Sequence, residues 1–509
     1  MNELVLPLLV PLVAALAGLA LPGKRRVQLS CGLAGSAVLL ASTLGLAASA
    51  ADGGVRALAL GSWAAPFGIV LVLDLTSAIF LAVCAFTGFA VALFAAFHRL
   101  GDPLDRWYFP LQNFLLVGVN GAFLTGDLFN LFVWFEVMLI ASFVLMVVGG
   151  RRPQLEGGVK YVVINLVASA FFLTGVGIIY GKTGTLNLAD LALIVGEGGD
   201  TSRFVRAGTA LVFAAFGVKA GLFPLFFWLP ASYHTPAPVV TALFAGLLTK
   251  VGIYSFLRVA TLLVGDRFAA WQDVFLWVAA LTMITGVLGA AAQFEMRKIL
   301  SFHIISQVGY LLAGLAMFTP LGLAAGIFYF VHNNLAKTNL LLVSAWVEHR
   351  RGTVDLARIG GFYRSSVGCS LLFLVSALAL AGIPPLSGFW AKLGIVRAGL
   401  EGGFPWLTAA ALAVGMMTLF SMTKIWAEAF WKADPAVEAD GGEPPVPVGA
   451  GAGSPVRFGL VPMTVVAAAI LGLSVFGEPV FALSETAAGQ LLDPSGYVEA
   501  VLGTEAGRR

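Results

Sequence analysis

Two stretches of this 509-residue chain, FGVKAGLFPLFFWLP at 216–230 and LALAGIPPLSGFWAKLGI at 378–395, decide how the rest is read. Each is apolar enough to lie in a membrane, yet each carries proline in its middle: Pro224 in the first, Pro384 and Pro385 in the second. Proline lacks an amide donor and clashes with the preceding turn, so a helix breaks there and backbone groups are released. In hydrocarbon such a break is tolerable only where it faces protein or a hydrated cavity. Each stretch also holds a lysine, Lys219 or Lys392, a few residues from its break.

Composition puts both stretches in lipid. Hydrophobic residues make up 59% of the chain and charged residues 11%, against about 25% charged in a soluble domain. There is too little polar surface to coat a water-soluble protein of this size. A net charge of +3, with the basic residues scattered, gives no nucleic-acid-binding surface. Cys31, Cys84 and Cys369 lie far apart in apolar runs, with no CxxC pair for a cluster or zinc and no disulfide framework. No cofactor or metal is expected. The apolar run 4–22 is followed, not preceded, by Lys24, Arg25 and Arg26, so it reads as a retained helix and not as a cleaved leader.

A spanning helix needs about 20 apolar residues. By that measure there are fourteen spans, near 4–22, 27–50, 69–97, 107–125, 128–149, 158–181, 206–229, 236–263, 272–293, 299–318, 321–347, 368–399, 405–431 and 457–477. With the first connector inside, sixteen Lys and Arg fall on one side and eight on the other, the remaining six of the thirty lying within spans. That bias fits the positive-inside rule with both termini outside. The longer connectors are 182–205 and the Pro/Gly-rich loop 433–456.

The two breaks stand five spans apart, and interrupted helices at matching places in two halves point to inverted repeats. The expected fold is an all-α polytopic membrane protein with two inverted five-helix repeats. Residues 1–106 would form three peripheral helices, 107–263 the first repeat and 264–432 the second. Residues 433–509 would hold the cytoplasmic loop, span fourteen and an external tail.

An ionised side chain at mid-membrane costs roughly 2.5–3.5 kcal/mol on insertion scales, so such residues are seldom kept for packing. Glu136 is the carboxylate set well inside a span, nine residues past Asp127 and roughly 13 Å deep at 1.5 Å per residue. Lys219 falls at a similar depth, five residues before Pro224. A carboxylate that approaches a buried ammonium favours its charged form, and one that withdraws favours proton release. Glu136 and Lys219 are therefore the expected working pair; the bland alternative is a static ion pair, which is a poor stabiliser. Lys250, His332, Lys337 and Lys392 continue the series as proton stations over both halves. His332 could equally be a structural hydrogen-bonder. His234 and His303 are secondary candidates for linking the series to cytoplasmic water, with an interfacial polar role as the alternative, and Lys424 is a last station of the second half or a snorkelling interface residue. Arg258 reads as a snorkelling side chain and Asp74 as a polar anchor near the outer surface.

One decoy falls away. GVGIIYGKTGT at 175–185 resembles a phosphate-binding loop, but that motif needs Gly five residues before the Gly-Lys, where Val176 stands. No metalloprotease motif or nucleophile–base arrangement is visible, so the buried charges read as a transport path and not as an enzyme's site.

Several segments carry a family resemblance: TGDLFNLFVWFEVMLIASFVLM at 125–146, KYVVINLVASAFFLTGVGIIYGKTGTLNLADLA at 160–192, GVKAGLFPLFFWLPASYHTPAPV at 217–239, the second broken stretch, and LLDPSGYVEAVLG at 491–503. Over nearly its whole length the chain resembles the antiporter-like subunits shared by Mrp-type cation/proton antiporters, respiratory complex I and membrane-bound hydrogenases. GDLFNLFVWFEV and the C-terminal segment are most similar to the Mrp branch. The resemblance implies fourteen helices, two inverted repeats and a hydrated polar axis in the membrane plane. It places the family's functional residues on Glu136, Lys219, Lys250, His332, Lys337 and Lys392. It also implies H⁺ and Na⁺, or another monovalent cation, as transported ions, other membrane subunits as partners, and a bacterial cell membrane as the location. The runner-up is the equivalent proton-pumping subunit of a redox complex. The longest family members carry a lateral helix and further spans, which this chain does not show.

Overall fold

The computed structural model describes residues 3–20, 24–98, 100–101, 103–196, 203–435 and 458–503. Arg99, Arg457, Arg508, Arg509 and nearly all of the 433–456 loop lie outside the described residues. The first helices are α1 (Leu6–Ala20) and α2 (Arg25–Gly53). A two-stranded antiparallel hairpin follows, β1 (Arg56–Ala59) with β2 (Val70–Leu73), Arg56 opposite Leu73. Then come α3 (Leu75–Phe97), α4 (Leu104–Leu124), α5 (Leu128–Val147), α6 (Arg152–Thr183), α7 (Leu188–Gly196), α8 (Arg203–Ala220), α9 (Trp228–Ser232) and α10 (Pro238–Val259). The second half holds α11 (Ala269–Ala291), α12 (Met296–Met317), α13 (Pro320–Arg351), α14 (Phe362–Ser365), α15 (Val367–Ala381), α16 (Ser387–Glu401) and α17 (Pro405–Ile425). After the loop come α18 (Val461–Val475), α19 (Gly477–Leu492) and α20 (Ser495–Leu502).

Local chemistry sets many of the helix ends. Asp74 starts α3 with a reciprocal capping box to Ser77, and Asp127 starts α5 by accepting from the Asn130 amide at 2.8 Å. Prolines 238, 320 and 405 open α10, α13 and α17, where their missing amide is harmless.

Every stretch expected to span contains a helix or a helix pair. Among the described residues nine helices are long and apolar enough to cross a membrane by length and composition. α18 and α19 together make a tenth if they count as one span despite a 79° bend. The remaining stretches are shorter or more polar because they face protein: α13 is buried along nearly its whole length and carries His332, Asn333, Asn334, Lys337 and Asn339 inward. The chain is a multi-pass membrane protein.

Some elements lie outside the apolar pattern. The third span was expected from 69, but Val70–Leu73 is extended and paired, and the helix begins at Leu75. The 182–205 connector contains α7, too short to register as a span. After α18 the chain turns into α19 and α20. Glu478 and Glu485 make α19 too polar to read as a span, yet its Ala487, Ala488 and Leu491 are buried.

Packing repeats in order. α4 lies on α5, α5 on α6, α6 on α8 and α9, and α8 on α10. Likewise α11 lies on α12, α12 on α13, α13 on α15 and α16, and α15 on α17. α10 meets α12 and α13 across the middle, and these three are the most buried helices.

Candidate functional site

The two breaks are built alike. α8 ends at Gly221, whose φ of 77° is left-handed, and the amides of Gly221 and Leu222 both return to the Gly217 carbonyl, at 3.0 and 2.9 Å. α15 ends at Gly382, φ 90°, with the amides of Gly382 and Ile383 returning to Leu378 at 3.0 and 3.1 Å. Glycine is needed because an L side chain resists that conformation. A helix C-terminus carries partial negative charge from its unpaired carbonyls, and each of these two holds a lysine. Lys219 sits in the last turn of α8. Lys392 arrives from α16 and donates to the Ala381 carbonyl, the last of α15, at 2.8 Å.

Glu136 and Lys219 do come together, through an intermediary that the sequence reading did not name. Ser169 on α6 donates its hydroxyl proton to Glu136 Oε1 at 2.5 Å and accepts from Lys219 Nζ at 3.3 Å. Lys219 is buried, Glu136 half-buried, and Nζ lies 4.8 Å from the Phe135 ring centroid. The expected direct ion pair is thus a hydroxyl-bridged one. Nothing in the sequence singles out Ser169, since a serine in an apolar helix usually bonds its own preceding turn.

The other stations divide into groups. Lys250 is fully buried on α10 and donates to the Ala245 carbonyl of its own helix. Lys337 crosses from α13 to the Leu300 carbonyl of α12 at 3.1 Å, and His303 stands one turn along α12 from Leu300. His303, near the start of the 299–318 stretch, is fully buried, with neither ring nitrogen bonded among the described residues. His332 pairs through Nδ1 with Ser387 Oγ at 2.9 Å, at the first residue of α16. Tyr329 meets His332 edge-on at 5.9 Å and stacks on Tyr310 at 5.0 Å, and Lys392 Nζ lies 5.3 Å from the Tyr310 ring. Lys392 and His332 are therefore joined by two tyrosine rings, while Lys337 turns to a different helix.

Two secondary candidates stand apart. His234 sits in the turn after α9 with Nδ1 2.8 Å from the Pro230 carbonyl, and burial pushes its proton affinity down. Lys424 donates to the carbonyls of Ala291 and Gln293, at 2.7 and 2.6 Å, and so caps the C-terminal end of α11. Arg258 corrects the snorkelling expectation. It is 4% exposed and makes a bidentate pair with Asp74, at 2.6 and 2.9 Å, with Tyr254 as a third partner at 2.8 Å. The ring of Tyr497, from α20, covers the guanidinium at 5.2 Å.

Interrupted helices ending on buried lysines, joined by further buried polar side chains, define a polytopic membrane protein of the ion-translocating type. A family profile described as NADH:quinone oxidoreductase/Mrp antiporter, transmembrane, matches residues 125–418, and the chain belongs to that family. It is 44% identical over 505 residues to the D-type subunit of the Na⁺/H⁺ antiporter of Alkalihalophilus pseudofirmus, covering 98% of this chain and 99% of the relative. Among solved structures it resembles a chain of the Mrp complex from a Dietzia species, with a TM-score of 0.88, 36% identity and coverage of 98% and 99%. It also resembles a chain of the membrane-bound sulfane sulfur reductase, an archaeal respiratory membrane complex, with a TM-score of 0.88, 26% identity and coverage of 98% and 100%.

Proposed function

We propose that this chain is a proton/cation-translocating subunit of a multisubunit Na⁺ (or other monovalent cation)/H⁺ antiporter, moving protons along a buried Glu/Lys/His relay driven by the proton-motive force. The observation that carries the reading is the Lys219–Ser169–Glu136 bridge at the end of a broken helix. When the carboxylate is held close, Lys219 keeps its proton; when α5 or α6 moves and the hydroxyl contact opens, the buried ammonium gives it up. Lys250, Lys337, His332 and Lys392 extend the path, with His303 beside Lys337. His234 and Lys424 stand at its margins. The similarity over nearly the full length to a component of a Na⁺/H⁺ antiporter supports the same partners, other membrane subunits of an antiporter complex.

Fourteen spans would form two inverted five-helix repeats, 107–263 and 264–432, flanked by 1–106 and 433–509. The repeated packing order and the matching turns at Gly221 and Gly382 support it. The likeness to relatives from Alkalihalophilus pseudofirmus and Bacillus subtilis supports a bacterial cell membrane, and the charge bias supports both termini outside. On that orientation the end bearing Arg151, Arg297 and Arg350 is cytoplasmic.

The test is Na⁺-dependent collapse of a pH gradient in vesicles holding the whole complex. Glu136→Ala and Lys219→Ala are each expected to abolish it with subunit abundance unchanged. Undiminished collapse in both variants would remove the relay. A second reading, a proton-pumping subunit of a redox complex, is favoured by the likeness to the archaeal respiratory complex. Copurification with iron–sulfur or flavin subunits would decide for it.

A further inference from the structure

At the proposed cytoplasmic end the molecule holds two polar cavities. One, of about 430 Å³, is lined by Glu295, Lys298 and Asp355 among others. The other, of about 300 Å³, is lined by His98, Arg151, Gln154 and His349 among others. Among the described residues, Arg297 and Glu348 alone line both. Their ion pair stands in the wall of each.

That half-buried pair is loose where the buried Asp74–Arg258 pair is tight. Arg297 reaches Glu348 at 3.2 and 3.3 Å, and Glu348 Oε2 has no hydrogen bond among the described residues. Asp74 and Arg258 meet at 2.6 and 2.9 Å, the usual range for charge-assisted bonds. Arg297 also has a second place to rest: it donates to the Pro236 carbonyl, in the turn before α10, at 2.9 Å. Glu348 lies on the face of α13 that carries Ser344, Leu341 and Lys337, at steps of four, three and four. Ser344 is fully buried with its hydroxyl unpaired among the described residues. Lys337 is eleven residues away, roughly 16 Å along the helix.

We propose that Glu348 is the proton-loading acid of the cytoplasmic intake and that Arg297 is its latch, separating the two cavities until Glu348 takes up a proton. The inference rests on the antiporter reading above and deepens it. A proton from cytoplasmic water forms an O–H bond on the Glu348 carboxylate, which cancels its negative charge. Arg297, still cationic, then stays with Pro236, the latch opens, and the loaded acid faces the Ser344–Lys337 column. The groups around Glu348 suit this: Arg297, Glu295 and Lys298 from the start of α12, Arg151 before α6, His98 after α3, Asp355 after α13, and His349 beside it. Burial, opposed by Arg297 and Arg151 and reinforced by Glu295, holds the Glu348 carboxyl above the usual carboxylate range.

The experiment measures antiport by the whole complex in vesicles of both orientations, against the pH at the cytoplasmic face. Glu348→Gln is expected to flatten that dependence. Arg297→Gln, which leaves the carboxylate without its cation, is expected to move the profile to higher pH by about one unit, tenfold in proton concentration. The wild-type profile in both variants overturns the proposal. So does a uniform loss of rate with the midpoint unmoved, and so does failure of both variants to assemble, which would make the pair a brace. Lys219→Ala in the same vesicles separates the two levels. Transport that survives there refutes the antiporter reading itself, whereas transport lost there beside an unmoved Glu348→Gln profile refutes only the intake.

Discussion

At the scale of single side chains, the central contact is a serine between an acid and an ammonium. A direct Glu136–Lys219 pair would hold both charges in place; a hydroxyl that accepts from one and donates to the other lets either side shift without leaving a bare charge. A hydrogen bond to a charged group is worth about 1.5–3 kcal/mol. Ser169→Ala is therefore expected to slow antiport by about tenfold or more, and Ser169→Thr, which keeps the hydroxyl, to restore most of the rate. Initial rates of pH-gradient collapse check this, and an alanine variant at the wild-type rate would sink it. The lysines and Glu136 were legible in the sequence because a charge inside an apolar run is conspicuous. Ser169 was not, since an uncharged hydroxyl costs little in a helix and gives no sign of its partners. Arg258 was misread for a related reason. Whether an arginine near a span end snorkels or pairs depends on what lies opposite, and Asp74 is 184 residues away in the chain.

At the scale of elements, the second break depends on a close crossing. A Cβ added at Gly388 would stand 1.8 Å from the Ala379 carbonyl oxygen and 2.8 Å from His332 Cε1. Gly388→Ala is thus expected to push α16 off α15, costing about 1–3 kcal/mol or more, and to displace His332 with it. Gly472→Ala, where the added carbon meets nothing, is the matched control. Melting temperatures of the purified complex should fall for the first variant and hold for the second. Both breaks were readable from Pro224, Pro384 and Pro385. The β1–β2 hairpin, α7 and α19 were not. Their apolar runs are too short or too interrupted for a span, and what fixes them is contact with the ends of other helices, which no local pattern records.

At the scale of the whole molecule, the ends of the bundle are tied together by groups outside the apolar runs. His98 closes α3, stacks on Phe94 at 4.0 Å and meets His349 edge-on at 5.3 Å. Burial pushes its imidazole down to about 4, below the unfolded value of about 6.5. The unfolded chain therefore binds more protons between those values, so the stability that neutral His98 allows is full above about pH 6.5 and falls as the pH drops. The loss should reach on the order of 2 kcal/mol by about pH 5. Melting curves of the complex at neutral and mildly acid pH measure it, and His98→Gln should remove this part of the dependence. The order in which α4–α10 and α11–α17 pack was foreseeable only as far as the matching breaks implied it. The hairpin was not, because its two strands are only four residues each, and the hold of α20 on Arg258 was not, because it joins residues far apart in the chain. That hold has a bearing on biogenesis. A ribosome delivers Tyr497 long after Asp74 and Arg258 have entered the bilayer, so the aromatic cover over their charges is the last piece to be fitted. Nascent chains halted upstream of it would carry the Asp74–Arg258 ion pair without its roof.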